Sequence, residues 1–290
     1  MESLEKALKK CKKLPKKLRR KVEEELERVR AMDDDVKVQL YVEGFLIYSL
    51  GDSPLVMATI HDGSYVPKDI DLVQSKKDRG KEEDLFSGEL YMPIFLGNGG
   101  TWVTTHVSRY VADLNRRPWQ AILKYEAPED GINLRASDNP QEAIKKVNEY
   151  YNKFYKAFSR CLRPGQFLFS GHTMCDRDNR GEIELEYWNP KDAEPLKELL
   201  EKEGFNDITV NEPFSFEQAQ SQLNFFAQRY VGRDRHMAFE TNKRIYMDEH
   251  SQEKSEVFDT TQKGIDSAVS RYLRKILSTD DKGITSLSFF

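Results

Sequence analysis

The sequence has few cysteines and no long apolar run. Its 290 residues include three scattered cysteines, Cys11, Cys161 and Cys175, and none of them forms a CxxC pair. This pattern argues against a disulfide framework and a thiolate zinc site, and it is typical of a reducing compartment. The chain has no stretch of about 18 apolar residues, and its charged N-terminus has no signal-peptide apolar region. We therefore predict a cytoplasmic protein that does not span a membrane.

An excess of charge of either sign is also lacking. The 45 basic and 49 acidic side chains give a formal net charge of -4. This balance argues against a whole-molecule field that attracts nucleic acid or a membrane, so we expect neither as a partner. Hydrophobic residues make up 38% and aromatic residues 11% of the chain, which is typical of a globular protein.

Residues 1–32 differ in character from the rest of the chain. Apolar residues recur there at roughly helical spacing, and Pro15 is expected to divide the segment into two helices. Its early lysines are not interleaved with the aromatic residues that stack on nucleic-acid bases. We interpret this segment as a charged helical appendage and residues 36–290 as one domain of catalytic size.

Strand and helix patterns alternate after residue 36. Strands are predicted at "VKVQLYVEG", "PLVMATIHDG", "TWVTTHVSRYVADLNR", "QFLFSGH" and in "HMAFETNKRIYMDE". Helices are predicted over 139–162, 192–204, 215–232 (with Ser215 as N-cap) and 260–277. This alternation favours an α/β sheet with helices on both faces.

Polar side chains gather at the ends of several predicted strands. An apolar strand pattern is followed in each case by His61, His172 or Glu240. Another strand pattern is followed by Arg109, Asn115 and Arg116. An apolar segment is preceded by Glu82, Glu83 and Asp84. Ligands bind at the carboxyl ends of strands in open α/β sheets. Two imidazoles and one carboxylate make the open ligand set of a catalytic zinc, and a separate glutamate could move the protons. One arginine could stabilise an oxyanion and another could bind a substrate carboxylate.

Ordered blocks of this sequence resemble the N-formylglutamate amidohydrolases, a family similar in fold to zinc carboxypeptidases and aspartoacylases. The blocks are "IHDGSYVP", "EEDLFSGELY", "SRYVADLNR", "GHTM", "NEPF" and "FETNKRIYMDE". The resemblance implies a three-layer α/β/α fold with a mixed central sheet, and a zinc-dependent hydrolysis of the amide of an N-acylated amino acid such as N-formylglutamate.

The resemblance also implies a role for each matching position. His61, Asp84 and His172 would be the metal ligands, with Glu82 or Glu83 as possible substitutes for Asp84. Glu240 would be the general base and acid, and Arg109 would polarise the scissile carbonyl group. Asn115 and Arg116 would hold a carboxylate of a small-molecule substrate.

The chain also departs from the family pattern. Ser170 and Gly171 stand where the family often has an aspartate shortly before the second histidine. His106 has no counterpart; a substrate contact and a structural role are both open, and we favour the structural role. A carboxypeptidase-like peptidase that acts on small acidic peptides and a degenerate hydrolase fold that serves as a binding module remain alternatives at this point.

Overall fold

The computed structural model describes residues 1–70, 72, 75–118, 120–121, 140–176, 180–212, 221–248 and 250–279. The helices in this part of the chain are α1 (Leu4–Cys11), α2 (Lys16–Met32), α3 (Lys76–Glu82), α4 (Ser87–Asn98), α5 (Pro140–Phe158), α6 (Glu194–Lys202), α7 (Gln222–Tyr230) and α8 (Phe258–Thr279). None of the described helices is long and apolar enough to cross a membrane.

A mixed nine-stranded sheet forms the centre of the fold. Its strands are β1 (Glu2–Ser3), β2 (Lys37–Leu40), β3 (Phe45–Leu50), β4 (Leu55–Thr59), β5 (Gly100–Thr105), β6 (Phe167–Met174), β7 (Ile183–Tyr187), β8 (Ile208–Val210) and β9 (His236–Asn242). They lie in the order β1-β2-β3-β5-β4-β6-β9-β7-β8. Strands β5, β4, β6 and β9 are parallel neighbours, and β3 and β7 flank them in antiparallel pairs. A separate two-stranded ribbon pairs β10 (Met247–Asp248) with β11 (Glu253–Lys254).

Apolar side chains cover both faces of the central strands. Successive residues of a strand point to opposite faces, so Met57 and Phe169 lie in one apolar cluster while Val56 and Leu168 lie in the other. Helices α4, α6 and α8 contribute to the first cluster, and α5 and α7 to the second. The three-layer α/β/α architecture with a mixed sheet is therefore confirmed.

The two N-terminal helices pack on the first of these faces. Pro15 stands between α1 and α2, as predicted. Apolar residues of both helices, among them Leu4, Leu18 and Leu26, are buried in the same cluster as Tyr48 and Trp102 of the sheet. The segment 1–32 thus shares a core with the sheet, and its separation as a domain stays a prediction.

Several elements differ from the sequence prediction. The predicted strand over residues 101–116 ends at Thr105, and the residues from His106 to Arg116 form a loop that carries site residues. Strands β3, β7 and β8 and helix α4 were not predicted. Ser215 lies outside the described residues, and the described helix α7 has Ser221 as its N-cap, with the Ser221 side chain accepting from the Asn224 N–H.

Candidate active site

The two predicted histidine ligands come from neighbouring parallel strands. His172 lies within β6, and His61 follows the end of β4. Ala58 of β4 is in register with Ser170 of β6, so both imidazoles emerge at the same edge of the sheet. Both rings are buried, and their centroids are 5.1 Å apart.

Asp84 meets the two imidazoles from the loop between α3 and α4. Its backbone N–H donates to the His61 carbonyl oxygen at 3.1 Å, which fixes the loop against the end of β4. Its Oδ2 atom lies 3.0 Å from His172 Nδ1 and 3.6 Å from His61 Nδ1. Burial opposes ionisation of Asp84, but its hydrogen bond with His172 and the nearby imidazole of His61 hold its pKa below the ordinary value.

These three side chains have the donor set and spacing of a metal site. One ligand atom from each lies within 4.8 Å of the others. Ligands of a tetrahedral zinc at 2.0–2.1 Å are about 3.3 Å apart, and the two nitrogen–oxygen distances to Asp84 bracket that value. His61 Nδ1 and Asp84 Oδ1 are buried and have no hydrogen-bond partner in the described structure, as expected of atoms that would face a cation. The residues therefore fit a metal ion.

The outer nitrogen of each imidazole is held by an oxygen. Asp113 Oδ1 accepts from His61 Nε2 at 2.8 Å, and the Ser170 hydroxyl lies 2.8 Å from His172 Nε2. Such contacts fix the ring orientation and leave Nδ1 for the metal. Neither role was predicted. The motif Ser-Gly-His places Ser170 two residues before His172 on the same strand face. This spacing is the one sequence signal that could have revealed the contact of Ser170 with His172.

Arg109 lies beside the same group. Its Nη2 atom donates to Asp113 Oδ2 at 2.8 Å, and its Nη1 atom lies 3.7 Å from Asp84 Oδ1. Burial opposes the charged guanidinium, but the carboxylates of Asp113 and Asp84 raise its pKa further above the usual value. Arg109 thus brings a fixed positive charge to the edge of the metal group.

Glu240 lies next to His172 on the neighbouring strand β9. The two residues are in register, and both lie on the face opposite Phe169 and Phe239. Burial, followed by repulsion from Asp84, Glu186 and Glu184, raises the pKa of Glu240 well above its usual value. A protonated carboxyl group at this place can donate a proton, and its ionised form can accept one.

Asn115 and Arg116 follow Asp113 in the loop. The Asn115 backbone N–H donates to Asp113 Oδ1 at 2.9 Å, and its side-chain oxygen accepts from the Ser221 hydroxyl. The Arg116 side chain is 49% exposed, and its Nε atom lies 3.9 Å from Asp113 Oδ2. Asp113 therefore connects His61, Arg109 and this pair.

The remaining acidic and histidine candidates lie elsewhere. Glu83 accepts from Ser108 and from Arg79, and Cys175 Sγ donates to Glu82 at 3.8 Å. The metal group found among the described residues contains Asp84, not Glu82 or Glu83. His106 packs against α2, with Nε2 3.6 Å from Glu25 Oε2.

Lys243 is a further site residue that the sequence did not predict. It is buried, and its Nζ atom donates to the carbonyl oxygens of Gly80 and Lys81 at the C-terminal end of α3. A cation favours the C-terminal end of a helix. Lys243 thereby anchors the segment that delivers Asp84.

Comparison with known proteins decides the family. A sequence model of the N-formylglutamate amidohydrolases matches residues 53–247, more than half of the chain. The chain belongs to the N-formylglutamate amidohydrolase family. The resemblance stated from the sequence blocks is thereby confirmed, as is the prediction of an enzyme, because this family consists of amidohydrolases. The residues Pro213, Phe214 and Glu249 of the matching blocks lie outside the described residues.

Two solved structures are similar in fold to this chain. An N-formylglutamate amidohydrolase from Ralstonia eutropha JMP134 is similar, with a TM-score of 0.64, 18% sequence identity, and coverage of 83% of this chain and 100% of that chain. A gene product of Agrobacterium tumefaciens has a TM-score of 0.56 and 14% identity, with 87% of this chain and 98% of that chain covered. No curated protein matches the chain significantly in sequence.

Proposed function

We propose that the chain is a zinc-dependent amidohydrolase that cleaves the amide of an N-acylated amino acid, such as N-formylglutamate. The observation that carries this proposal is the convergence of His61, Asp84 and His172, with Glu240 in register beside His172. The similar enzyme from Ralstonia eutropha, named as an N-formylglutamate amidohydrolase, supports the choice of substrate class.

The three buried ligands would hold the zinc ion. When bound there, zinc would supply a Lewis acid that lowers the pKa of water from 15.7 to about 7 and so makes a nucleophile available at neutral pH. Asp113 and Ser170 would keep the two imidazoles oriented with Nδ1 toward the ion.

Glu240 would carry the protons of the reaction. It would accept a proton from the attacking water and donate it to the leaving amine, since an amine leaves poorly unless protonated. Its raised pKa, which results first from burial, favours the proton-donating half of this cycle.

Three polar side chains would position the substrate. The Arg109 guanidinium would donate to the carbonyl oxygen as negative charge develops on it. Arg116 and the Asn115 amide nitrogen would hold the substrate carboxylate, because a guanidinium binds a carboxylate in a bidentate manner. The exposed position of Arg116 suits a group that meets the substrate from solvent.

Replacement of Glu240 by Gln tests this assignment. The variant E240Q keeps the size of the side chain but cannot accept the proton, so we expect kcat to fall about 10²–10⁴-fold with zinc content unchanged. Steady-state hydrolysis of N-formylglutamate and elemental analysis of zinc are the measurements. The exposed variant E198Q is the control, and near-normal turnover by E240Q would remove this residue from the mechanism.

The ligand assignment is tested separately. His61→Ala and His172→Ala should each lose bound zinc, whereas the wild type should contain about one ion per chain. Unchanged zinc content in either variant would refute the assignment.

A further inference from the structure

Helix α2 reaches the loop that carries His61, although α2 precedes the residues 53–247 that match the family. Lys21 of this helix is partly buried, and its Nζ atom donates to the Ser64 hydroxyl oxygen. Ser64 follows the proposed ligand His61 by three residues. A side chain from outside the family-matching segment therefore contacts a loop of the proposed metal site.

The loop after β4, which carries this ligand, packs closely against the loop after β5, which carries the arginine proposed to meet the carbonyl oxygen. A Cβ atom at Gly63 would lie 2.3 Å from the Val107 carbonyl oxygen, so the contact leaves no room for a side chain. The Tyr65 N–H donates to the His106 carbonyl oxygen at 2.8 Å, and the Ser108 N–H donates to the Tyr65 carbonyl oxygen at 2.9 Å. Backbone contacts therefore fix the two loops to each other.

Two carboxyl groups flank the proposed ligands along the chain. Asp62 directly follows His61, and Glu83 directly precedes Asp84. Glu83 is 1% exposed. Asp62 lies against the first turn of α4, where a Cβ atom at Gly88 would be 2.6 Å from Asp62 Oδ2. Removal of a carboxylate from water is unfavourable unless positive charge or hydrogen bonds compensate it, so both groups depend on their neighbours.

The Lys21 ammonium group compensates both carboxyl groups. Burial raises the pKa of Asp62 to about 7, and Lys21 is the strongest charge that opposes this shift. Burial also raises the pKa of Glu83, and its contacts with Ser108 and Arg79 oppose that shift, followed by the charge of Lys21. One ammonium group thus lies within electrostatic reach of a carboxyl group next to each of two ligands.

We propose that Lys21 is a positioning residue of the active site. It anchors the loop of His61 through Ser64, and its charge holds the two carboxyl groups that flank the ligands. Lys21 acts through these loops and does not itself contact the metal or the substrate. The inference rests on the proposed function and deepens it, because it makes the N-terminal helices part of the catalytic unit as well as part of the core.

The zinc affinity of a Lys21 variant tests this role, because positioning and direct repulsion predict opposite results. An ammonium group near the site repels a divalent cation, so removal of its charge alone would strengthen zinc binding. If Lys21 positions the ligand loops, Lys21→Met should instead weaken zinc binding about tenfold or more, as is typical for residues that orient metal ligands. Competition with a chromogenic chelator measures the dissociation constant. Equal or tighter zinc binding by K21M overturns the inference.

Further variants connect the effect to the charge and to the contact with Ser64. Lys21→Arg keeps a positive charge and a donor, so it should retain more zinc affinity than K21M, and a K21R variant that binds zinc no better than K21M overturns the inference. Lys17→Met, at an exposed position four residues earlier in the same helix, is the control and should bind zinc as the wild type does. If K21M does not fold, Ser64→Ala decides the result, because it removes the acceptor and should also weaken zinc binding.

Two measurements separate this inference from the proposed reaction. If the wild type binds zinc but does not hydrolyse N-formylglutamate, the proposed substrate fails, and the zinc affinity of K21M still decides the role of Lys21. If the wild type binds no zinc, amide hydrogen exchange of the metal-free protein decides it. The Tyr65 and Asp84 N–H groups, which are hydrogen-bonded to neighbouring site loops, should then exchange faster in K21M than in the wild type, while amides in the centre of α8 keep their rates. Equal exchange at Tyr65 and Asp84 in the two proteins overturns the inference.

Discussion

At the residue scale, the oxygen atoms that contact the outer nitrogen of each imidazole distinguish this site from a random cluster of polar side chains. Asp113 accepts from His61, Arg109 and the Asn115 N–H, so one buried carboxylate orients a ligand, a cation and the loop that carries Arg116. Burial opposes its ionisation, but Arg109 and His61 hold its pKa well below the usual value. Asp113 therefore stays ionised and supports all three partners across the neutral pH range.

Ser170 contacts the outer nitrogen of His172, as Asp113 contacts that of His61. Replacement of Ser170 tests directly whether this contact supports metal binding. Ser170→Ala removes the hydroxyl that lies 2.8 Å from His172 Nε2, and loss of such a contact typically lowers metal affinity about 10–100-fold. Competition with a chromogenic chelator measures this change, and Ser278→Ala, at an exposed position, is the control. Equal zinc affinity of S170A and the wild type would show that the hydroxyl does not support the ligand.

The sequence allowed prediction of the residues that converge at the site, but not of the residues that contact and orient them. His61 and His172 follow apolar strands, and parallel strands bring their ends to one edge, so their convergence could be expected from the pattern. The partners of their outer nitrogens depend on how the loop from His106 to Arg116 folds back over the sheet. That path is set by tertiary contacts, and the periodicity of apolar residues in the sequence does not indicate them.

At the element scale, α2 brings a buried acid against the sheet. Glu25 is 8% exposed, and it accepts from the Tyr48 hydroxyl at 2.6 Å. Burial raises its pKa from 4.5 to about 8, although the Tyr48 hydrogen bond works in the opposite direction. Helix α2 is therefore docked with a carboxyl group that is protonated at neutral pH.

This docking makes stability depend on pH. The unfolded chain releases the Glu25 proton near pH 4.5 and the folded chain near pH 8, so between these values the folded state binds more protons. The contribution of Glu25 is then fully present below about pH 4.5 and is lost as the pH rises toward 8, at up to about 1.4 kcal/mol per pH unit. Glu25→Gln should flatten the fall in the free energy of unfolding between pH 5 and 8, as measured by urea denaturation. The neighbouring exposed variant E24Q should keep the wild-type slope, and parallel slopes for E25Q and the wild type would contradict this assignment.

The apolar stripe of α2 should contribute several kcal/mol. Leu26 is fully buried, and Leu26→Ala is expected to lower the free energy of unfolding by about 2–5 kcal/mol. Met32→Ala, at a residue that is 54% exposed in the same helix, should change it by less than about 0.5 kcal/mol. Similar effects of the two substitutions in denaturant titrations would show that the helix does not share the core of the sheet.

The elements that the sequence prediction missed were missed for different reasons. Helix α4 buries residues on all sides, including Leu90, Tyr91, Met92 and Phe95, so it lacks the alternation of apolar and polar positions that predicts a helix. Strand β7 alternates apolar residues with Glu184 and Glu186, a pattern that does indicate a strand, and the prediction overlooked it. The elements with one polar face, such as α5 and α8, were predicted close to their observed bounds.

At the scale of the whole molecule, the proposed metal ligands come from distant parts of the chain. His61 follows the end of β4, Asp84 lies in the loop after α3 and His172 lies in β6, and these parts meet in the folded sheet. A metal that binds the folded state alone stabilises it, by about 4 kcal/mol when its free concentration is 1,000 times the dissociation constant. Addition of a chelator should therefore lower the Tm of the wild type and leave the Tm of His172→Ala unchanged. A wild type whose Tm does not respond to the chelator would show that no such linkage exists.

The strand order has a consequence for a chain that is still being synthesised. Strand β6 pairs with β4 on one side and with β9 on the other, yet β9 follows it by more than sixty residues of chain. When residue 176 has left the ribosome, the three proposed ligands have been made, but β6 still has an open edge and Glu240 is absent. An exposed parallel edge invites pairing with other chains. Nascent or prematurely terminated chains that end before β9 would therefore expose an unpaired edge of β6 and tend to aggregate.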